Sequence, residues 1–378
     1  MRRRVHSRRF FLLRLRGTSD ILPTMRPVFV VLALISILWA QKPSAQQLFD
    51  SALAAQKRGD LSSAINSYQR ALELDPGLMV ARISLAGAFM QLGRLEEAAE
   101  SYRMALSRSP GDVHIRTLLG DCLVQQGRYE EAITQLAPVE KAHPENLDAV
   151  FILGEALIHG NRAGEGLKRI ERVARTRDDA DAWMLAGVTE LKLGDYARAR
   201  DSLDKGLRLN PTMPGAATLA GMAHAGTGDE EGAKTAFRKA LALDPNDFEA
   251  NFRLGIILRR QGDLGGASPY LQEALRSQPS SLLVRYQIAQ LEAAQGNSEA
   301  AAADLEHIVR VAPNVLQPHT QLSGLYYRLH RPQEGARERQ IVDKLLAHPE
   351  QQDHRLEKDP TLDKGSDKTS ATEPAPSP

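Results

Sequence analysis

The side chains able to do chemistry in this chain are scattered. Its 378 residues include ten His and one Cys. A structural or catalytic metal site needs ligands at short fixed spacings, such as two His one helical turn apart or paired Cys. No such spacing occurs: His114, His143 and His159 stand in unrelated local contexts. Cys122 lies among Leu119, Leu123 and Val124, the setting of a buried and inert thiol. A single cysteine also excludes an internal disulfide framework. The stretch Gly160-Asn161-Arg162-Ala163-Gly164-Glu165-Gly166 has the glycine content of a phosphate loop. It lacks the Lys and Ser/Thr such a loop needs, and no strand pattern precedes it. Carboxylates are many, but they fall on helical faces, where solvated charge is their ordinary role. These residues point to no catalysis, no cofactor and no bound metal.

What positions the side chains instead is a beat. Gly59, Gly93, Gly127, Asn161, Gly194, Gly228, Gly262, Gly296 and His330 follow one another at thirty-four residues, except for the thirty-three from Asn161 to Gly194. Seven residues before each marker is a small residue: Ala52, Ala86, Gly120, Gly154, Gly187, Gly221, Gly255, Ala289, Ser323. Five after comes another, from Ala64 and Ala98 to Ala301 and Gly335. Seventeen after comes Pro in every unit but the fourth and ninth. In the second unit, Arg82 to Met90 carries apolar residues at helical spacing, Gly93 stops it, and Leu95 to Leu106 begins a second helical pattern that Pro110-Gly111 ends. Each unit is therefore predicted to be helix, tight turn, helix, break. Helices this short are marginal alone in water, and one pair cannot bury both faces, so neighbours must stack. Two small positions facing each other let the helix axes approach closely, and Tyr68, Tyr102 and Phe237 fill the space beside them.

The pattern resembles the tetratricopeptide repeat (TPR) at Leu85-Ala86, Phe89, Gly93, Leu95, Ala98, Tyr102, Ala105 and Pro110. It does so again at Leu119-Gly120, Leu123, Gly127, Tyr129, Ala132, Leu136 and Pro144. The resemblance runs over about residues 45–347, in units starting near 45, 79, 113, 147, 180, 214, 248, 282 and 316. It implies an all-α fold, a right-handed superhelical solenoid of about nine TPR helix pairs, with an inner groove lined mainly by the first helix of each pair. The similar PPR repeat, an RNA binder, lacks this Gly, Ala and Pro pattern.

Two units depart from the consensus. The fourth has Asn161 for Gly, Gly166 for Ala and one residue fewer before Ala180, which reads either as a joint in the array or as drift its neighbours tolerate. In the ninth, Arg339 replaces the large apolar residue of other units, as a terminal cap requires.

By the same resemblance, the second, fifth, ninth and twelfth residues of a unit face the groove. In the first four units these include Phe49, Leu53, Ile83, Met90, Val124, Phe151 and Ile158. Further on they include Met184, Val188, Leu191, Met222, Phe252, Ile256 and Tyr286. Arg253 and Arg259, with Arg260, add local positive charge. Such an apolar strip containing methionine adapts to varied partners. TPR domains that hold chaperone C-termini use a carboxylate clamp of Lys/Arg and Asn. The matching positions here are Phe49, Leu53, Ser84, His114 and Leu118, and none fits.

The ends differ from the body. Residues 1–40 hold eight Arg and one Asp, leaving 40 basic and 46 acidic residues after them. An acidic body disfavours nucleic acid, whose phosphates need a basic track. Val28 to Ala40 is an apolar run interrupted only by Ser36, after Arg26, too short to span a bilayer and the right length for the core of a secretory signal. Cleavage after Ala40 would leave an exported, periplasmic or secreted protein with no membrane span, and an uncleaved run would tether it. Ser7-Arg8-Arg9-Phe10-Phe11-Leu12 resembles a twin-arginine motif, but the apolar run does not follow closely, and a start at Met25 gives a more compact signal. From about 350 to 378 the chain is polar and without periodicity, which predicts a disordered tail.

The expected function is a non-catalytic adaptor in the bacterial cell envelope, binding protein or extended-peptide partners through its groove. Two alternatives are a structural accessory subunit of a secretion, pilus or polysaccharide-export machine, and a targeting subunit of a separate enzyme such as a glycosyltransferase.

Overall fold

The structure, a computed structural model, describes residues 43–356. The expected export segment 1–40 and the tail beyond Leu356 lie outside the described residues. Among the described residues all regular structure is helical, and it falls into two compact units that divide between Ile115 and Arg116. The first unit holds α1 (Ala45–Lys57), α2 (Leu61–Leu74), α3 (Met79–Gln91) and α4 (Leu95–Arg108). The division falls within α5 (Val113–Gln125). The second unit continues with α6 (Tyr129–Ala142), α7 (Leu147–His159), α8 (Ala163–Arg177), α9 (Ala180–Lys192) and α10 (Tyr196–Leu209). It ends with α11 (Ala216–Gly226), α12 (Glu230–Leu243), α13 (Phe248–Arg260), α14 (Leu264–Ser277), α15 (Leu282–Ala294), α16 (Ser298–Val311), α17 (Leu316–Arg328) and α18 (Pro332–Ala347).

Each odd helix begins where the repeat places a unit, except α11. There Gly215 takes a left-handed φ of 72° and delays the start to Ala216. All nine marker residues have positive φ, between 59° and 86°. Glycine does this without a Cβ penalty; Asn161 (63°) and His330 (59°) do it as non-glycine residues held by the helices on either side. The fourth unit's missing residue is absorbed the same way: Asp178, where other units carry Pro, takes φ 51°, and Asp179 then caps α9 by accepting from the Ala182 N–H. The fourth unit is thus a regular pair with a shortened exit.

After the marker, two solutions start the second helix. Asp60, Asp195, Asp229 and Asp263 cap it through their carboxylates, each accepting a backbone N–H three residues on. Arg94, Arg128, Arg162 and Arg331 make no side-chain cap and instead pair with Glu97, Glu131, Glu165 and Glu334 at 2.6–2.9 Å. A carboxylate at the helix N-terminus, at the cap or in the first turn, favours the helix dipole in either case.

Within a pair the axes approach at the small residues. A Cβ on Gly166 would lie 2.4 Å from the Gly154 carbonyl oxygen, and one on Gly187 2.5 Å from Leu203. Ser323 Oγ donates to the Gly335 carbonyl at 2.8 Å at the matching place in the ninth pair. The large residue of each second helix fills the remaining gap: Tyr68, Tyr102, Leu136, Ile170, Leu203, Phe237, Leu271 and Leu305 are all buried. Arg339, their ninth counterpart, is exposed, while Leu345 on the same helix is buried. In the second unit, odd helices of successive pairs touch (α9–α11, α11–α13, α13–α15), whereas the even helices stand further apart. Helices α9, α11, α13 and α15 therefore form a continuous wall, with the even helices between them on the opposite face.

Gly166 and Gly164 separate close approach from free space. Nothing lies within 4 Å of a Cβ on Gly164. Gly166→Ala is expected to cost about 1–3 kcal/mol by overpacking, and Gly164→Ala to be neutral or to gain up to about 1 kcal/mol. Thermal or urea unfolding of the two variants checks this, and equal stabilities would contradict the contact.

Candidate functional site

The wall of odd helices opens into two cavities in the second unit. The smaller, about 190 Å³, lies between α11 and α13 and is lined by Met222, Ala225, Gly226, Phe252, Arg253, Ile256, Ile257 and Arg260. The larger, about 420 Å³, lies at the N-terminal ends of α13 and α15 and is lined by Phe248, Glu249, Phe252, Leu282 and Leu283 among others. Phe252 belongs to both and is the partition between them; Phe248 stacks on it with ring centroids 5.8 Å apart.

Four residues expected to line the groove, Met222, Phe252, Arg253 and Ile256, thus meet at one place. Phe49, Leu53, Ile83 and Met90 are half-buried on α1 and α3 of the first unit. Phe151 and Ile158 on α7, and Met184, Val188 and Leu191 on α9, are also half-buried, and most of these pack one side against the core while the other meets solvent. Three residues are more enclosed than the repeat position suggests. Val124 is 7% exposed, Phe252 4% and Tyr286 8%, because adjacent helices cover them. Phe248, Leu282 and Leu283 carry the larger cavity without having been marked. Leu283 holds the second position of its unit, so the positional rule reaches it; Phe248 and Leu282 are first residues of their helices, which the rule omits.

The local charge is more balanced than the run of arginines suggests. Arg253 Nε pairs with Glu249, and Arg260 Nη2 lies 3.1 Å from Glu230. Arg259 differs. Its Nη2 donates to Gln287 Oε1 at 2.9 Å, and its buried Nε has no hydrogen-bond partner among the described residues. Burial, and secondarily Arg260 nearby, pull its pKa below the ordinary guanidinium value. Burial likewise pushes the Tyr286 phenol up; its oxygen accepts from Gln321 Nε2 at 2.8 Å. The two cavities therefore offer apolar sockets beside charges that are already paired, and Arg259 lines neither of them. Among the described residues no three His, Cys, Asp or Glu side chains come together to hold a metal. Cys122 is buried.

Profiles described as tetratricopeptide repeat match residues 49–113, 218–281 and 257–315, a second such profile matches 96–144, and a third matches 180–213. The matches cover well over half of the chain. This chain is a tetratricopeptide repeat protein. Among solved structures, the TPR chain resembles the C-terminal part of a TPR repeat-containing protein from Cytophaga hutchinsonii, with 17% identity and a TM-score of 0.53 over 62% of this chain and 97% of that one. PilW, a widely conserved type IV pilus biogenesis factor, is 20% identical with a TM-score of 0.50 over 56% and 98%. MamA of Desulfovibrio magneticus is 23% identical with a TM-score of 0.42 over 44% and 95%. At these identities the likeness is one of fold. No curated protein matches the chain in sequence. Among the described residues no helix is long and apolar enough to cross a membrane.

A buried donor without a partner costs about 1–3 kcal/mol. Arg259→Met should therefore leave thermal stability unchanged or raise it by up to about 1 kcal/mol, since the stem still packs. A clear drop in melting temperature would show that the guanidinium is already satisfied.

Proposed function

We propose that this TPR protein is a non-catalytic scaffold that holds an extended protein segment along the wall of odd helices, in the bacterial cell envelope. The observation that carries the reading is the pair of cavities around Phe252, lined by Met222, Ile256, Leu282 and Leu283. Successive side chains of an extended chain alternate in direction, so an extended segment can seat alternate apolar anchors in neighbouring sockets. Burying one Leu- or Phe-sized anchor is worth about 1.5–3 kcal/mol, so the two sockets supply anchors to which backbone contacts along the segment must add.

Site-specific photo-cross-linking in intact cells tests the reading. A benzoylphenylalanine at Met222 should yield a discrete adduct, and one at Leu243, exposed on α12 of the opposite face, should not. Ile256→Glu should reduce the Met222 adduct at least tenfold. Adducts of equal yield from both faces would sink the groove as the binding site.

The envelope location rests on Arg26 and the apolar run 28–40. N-terminal sequencing of the mature chain should begin at Gln41. A chain that keeps Val28 to Ala40 would instead be membrane-tethered.

A further inference from the structure

The chain after α18 folds back onto the array as a short strap. A 3-10 turn covers Pro349–Gln351, and Gln352 Nε2 donates to the Leu345 carbonyl at 2.9 Å. The Asp353 N–H donates at 2.9 Å to the carbonyl of Asn314, in the connection between α16 and α17. Asp353 then shapes a turn: its Oδ1 accepts from the Arg355 N–H at 3.0 Å, and its Oδ2 meets Arg355 Nε at 2.6 Å. The turn delivers Leu356 into the apolar cluster that holds Tyr286, Leu322 and Tyr326, where it is 9% exposed. Arg355 and Leu356 also close one side of the 420 Å³ cavity, whose other walls include Phe248, Phe252 and Val311. The polar end expected to be structureless from about 350 thus keeps defined contacts as far as Leu356.

This strap is held as a bound segment is held. Residues 350–356 read Glu-Gln-Gln-Asp-His-Arg-Leu, so a single apolar side chain anchors them. A segment with so few buried apolar contacts sits at the low end of local stability and opens readily. Its place is the rim of the cavity at the N-terminal ends of α13 and α15, where Val311 stays 52% exposed beside it. One main-chain bond to a connecting loop with one side chain in an apolar socket is also how an extended segment docks in trans.

We propose that residues 353–356 are a resident cis ligand of the TPR array. Leu356 holds the socket beside the 420 Å³ cavity, and a protein segment entering that cavity displaces the strap with an apolar anchor of its own. The inference rests on the groove reading for its competitor; the cis contact stands apart from it.

Hydrogen exchange in the full chain tests it. The Asp353 amide should exchange at least tenfold more slowly than in a synthetic peptide of residues 349–356, and Leu356→Asp in the full chain should bring the two rates together. Exchange in the full chain as fast as in the peptide would overturn the proposal. Displacement is read by adding that same peptide to the full chain. A short tethered segment competes at an effective concentration of about 1 mM, so the peptide at about 10 mM should speed Asp353 exchange at least threefold. The same peptide carrying Leu356→Asp should leave the rate unchanged. Protection that the unaltered peptide cannot reduce would make the strap a fixed clasp and overturn the proposal. Photo-cross-linking separates this from the groove reading: with benzoylphenylalanine at Met222, Leu356→Asp should raise the adduct yield at least threefold. An adduct indifferent to Leu356→Asp would leave partner binding standing and remove the competition. A strap that the peptide displaces, in a chain that forms no Met222 adduct, would keep the cis ligand and remove the partner from the groove.

Discussion

Nine residues, thirty-three or thirty-four apart from Gly59 to His330, enter the left-handed region of backbone space, and the rest of the described structure depends on that turn. It stops the odd helix, reverses the chain within three residues, and sets the next helix so that the two small positions face each other. Close approach then follows: Gly154 against Gly166 and Gly187 against Ala199 leave no room for larger side chains. The large residue beside each contact, from Tyr68 to Leu305, fills what remains. Because the same geometry recurs, each pair presents the same unfinished face to the next, and stacking is the way to bury it. Asn161 and His330 show the strength of the constraint. Both hold the left-handed conformation that glycine takes at the other seven markers.

The groove is a consequence of that packing. Odd helices of successive pairs touch, so positions that point along the contact are covered and those that straddle it leave sockets. Phe252 is both: nearly all its surface is buried, yet it divides two cavities. Such a rigid aromatic partition suits recognition of an extended chain, since it separates sockets without having to move. The arginines contribute less net charge than their number suggests, because Glu249 and Glu230 already answer two of them.

The periodic part of this structure was legible in the sequence because one residue per unit announces the turn and two small residues announce the contact. Even the irregular markers at Asn161 and His330 could be placed by register alone. Asp178 could not, since a one-residue deletion says that the chain is shorter without saying which residue takes the strain. For the groove, repeat position gave the right helix face but not the depth. Val124 and Tyr286 sit at lining positions and are nonetheless covered, because depth depends on the size of neighbours in the adjacent pair. The larger cavity was harder still. Its walls are helix N-termini, such as Phe248 and Leu282, and a returning segment, Arg355 and Leu356, from a stretch whose composition alone suggested no structure.

The wall of odd helices as the binding face is the central claim, and methionine-methyl NMR tests it most directly. Met222 lines the smaller cavity, whereas Met104 is 40% exposed on α4, an even helix. With a captured partner titrated in, the Met222 methyl resonance should move and that of Met104 should stay. A shift at Met104 with Met222 unmoved would place the binding face elsewhere and contradict the account.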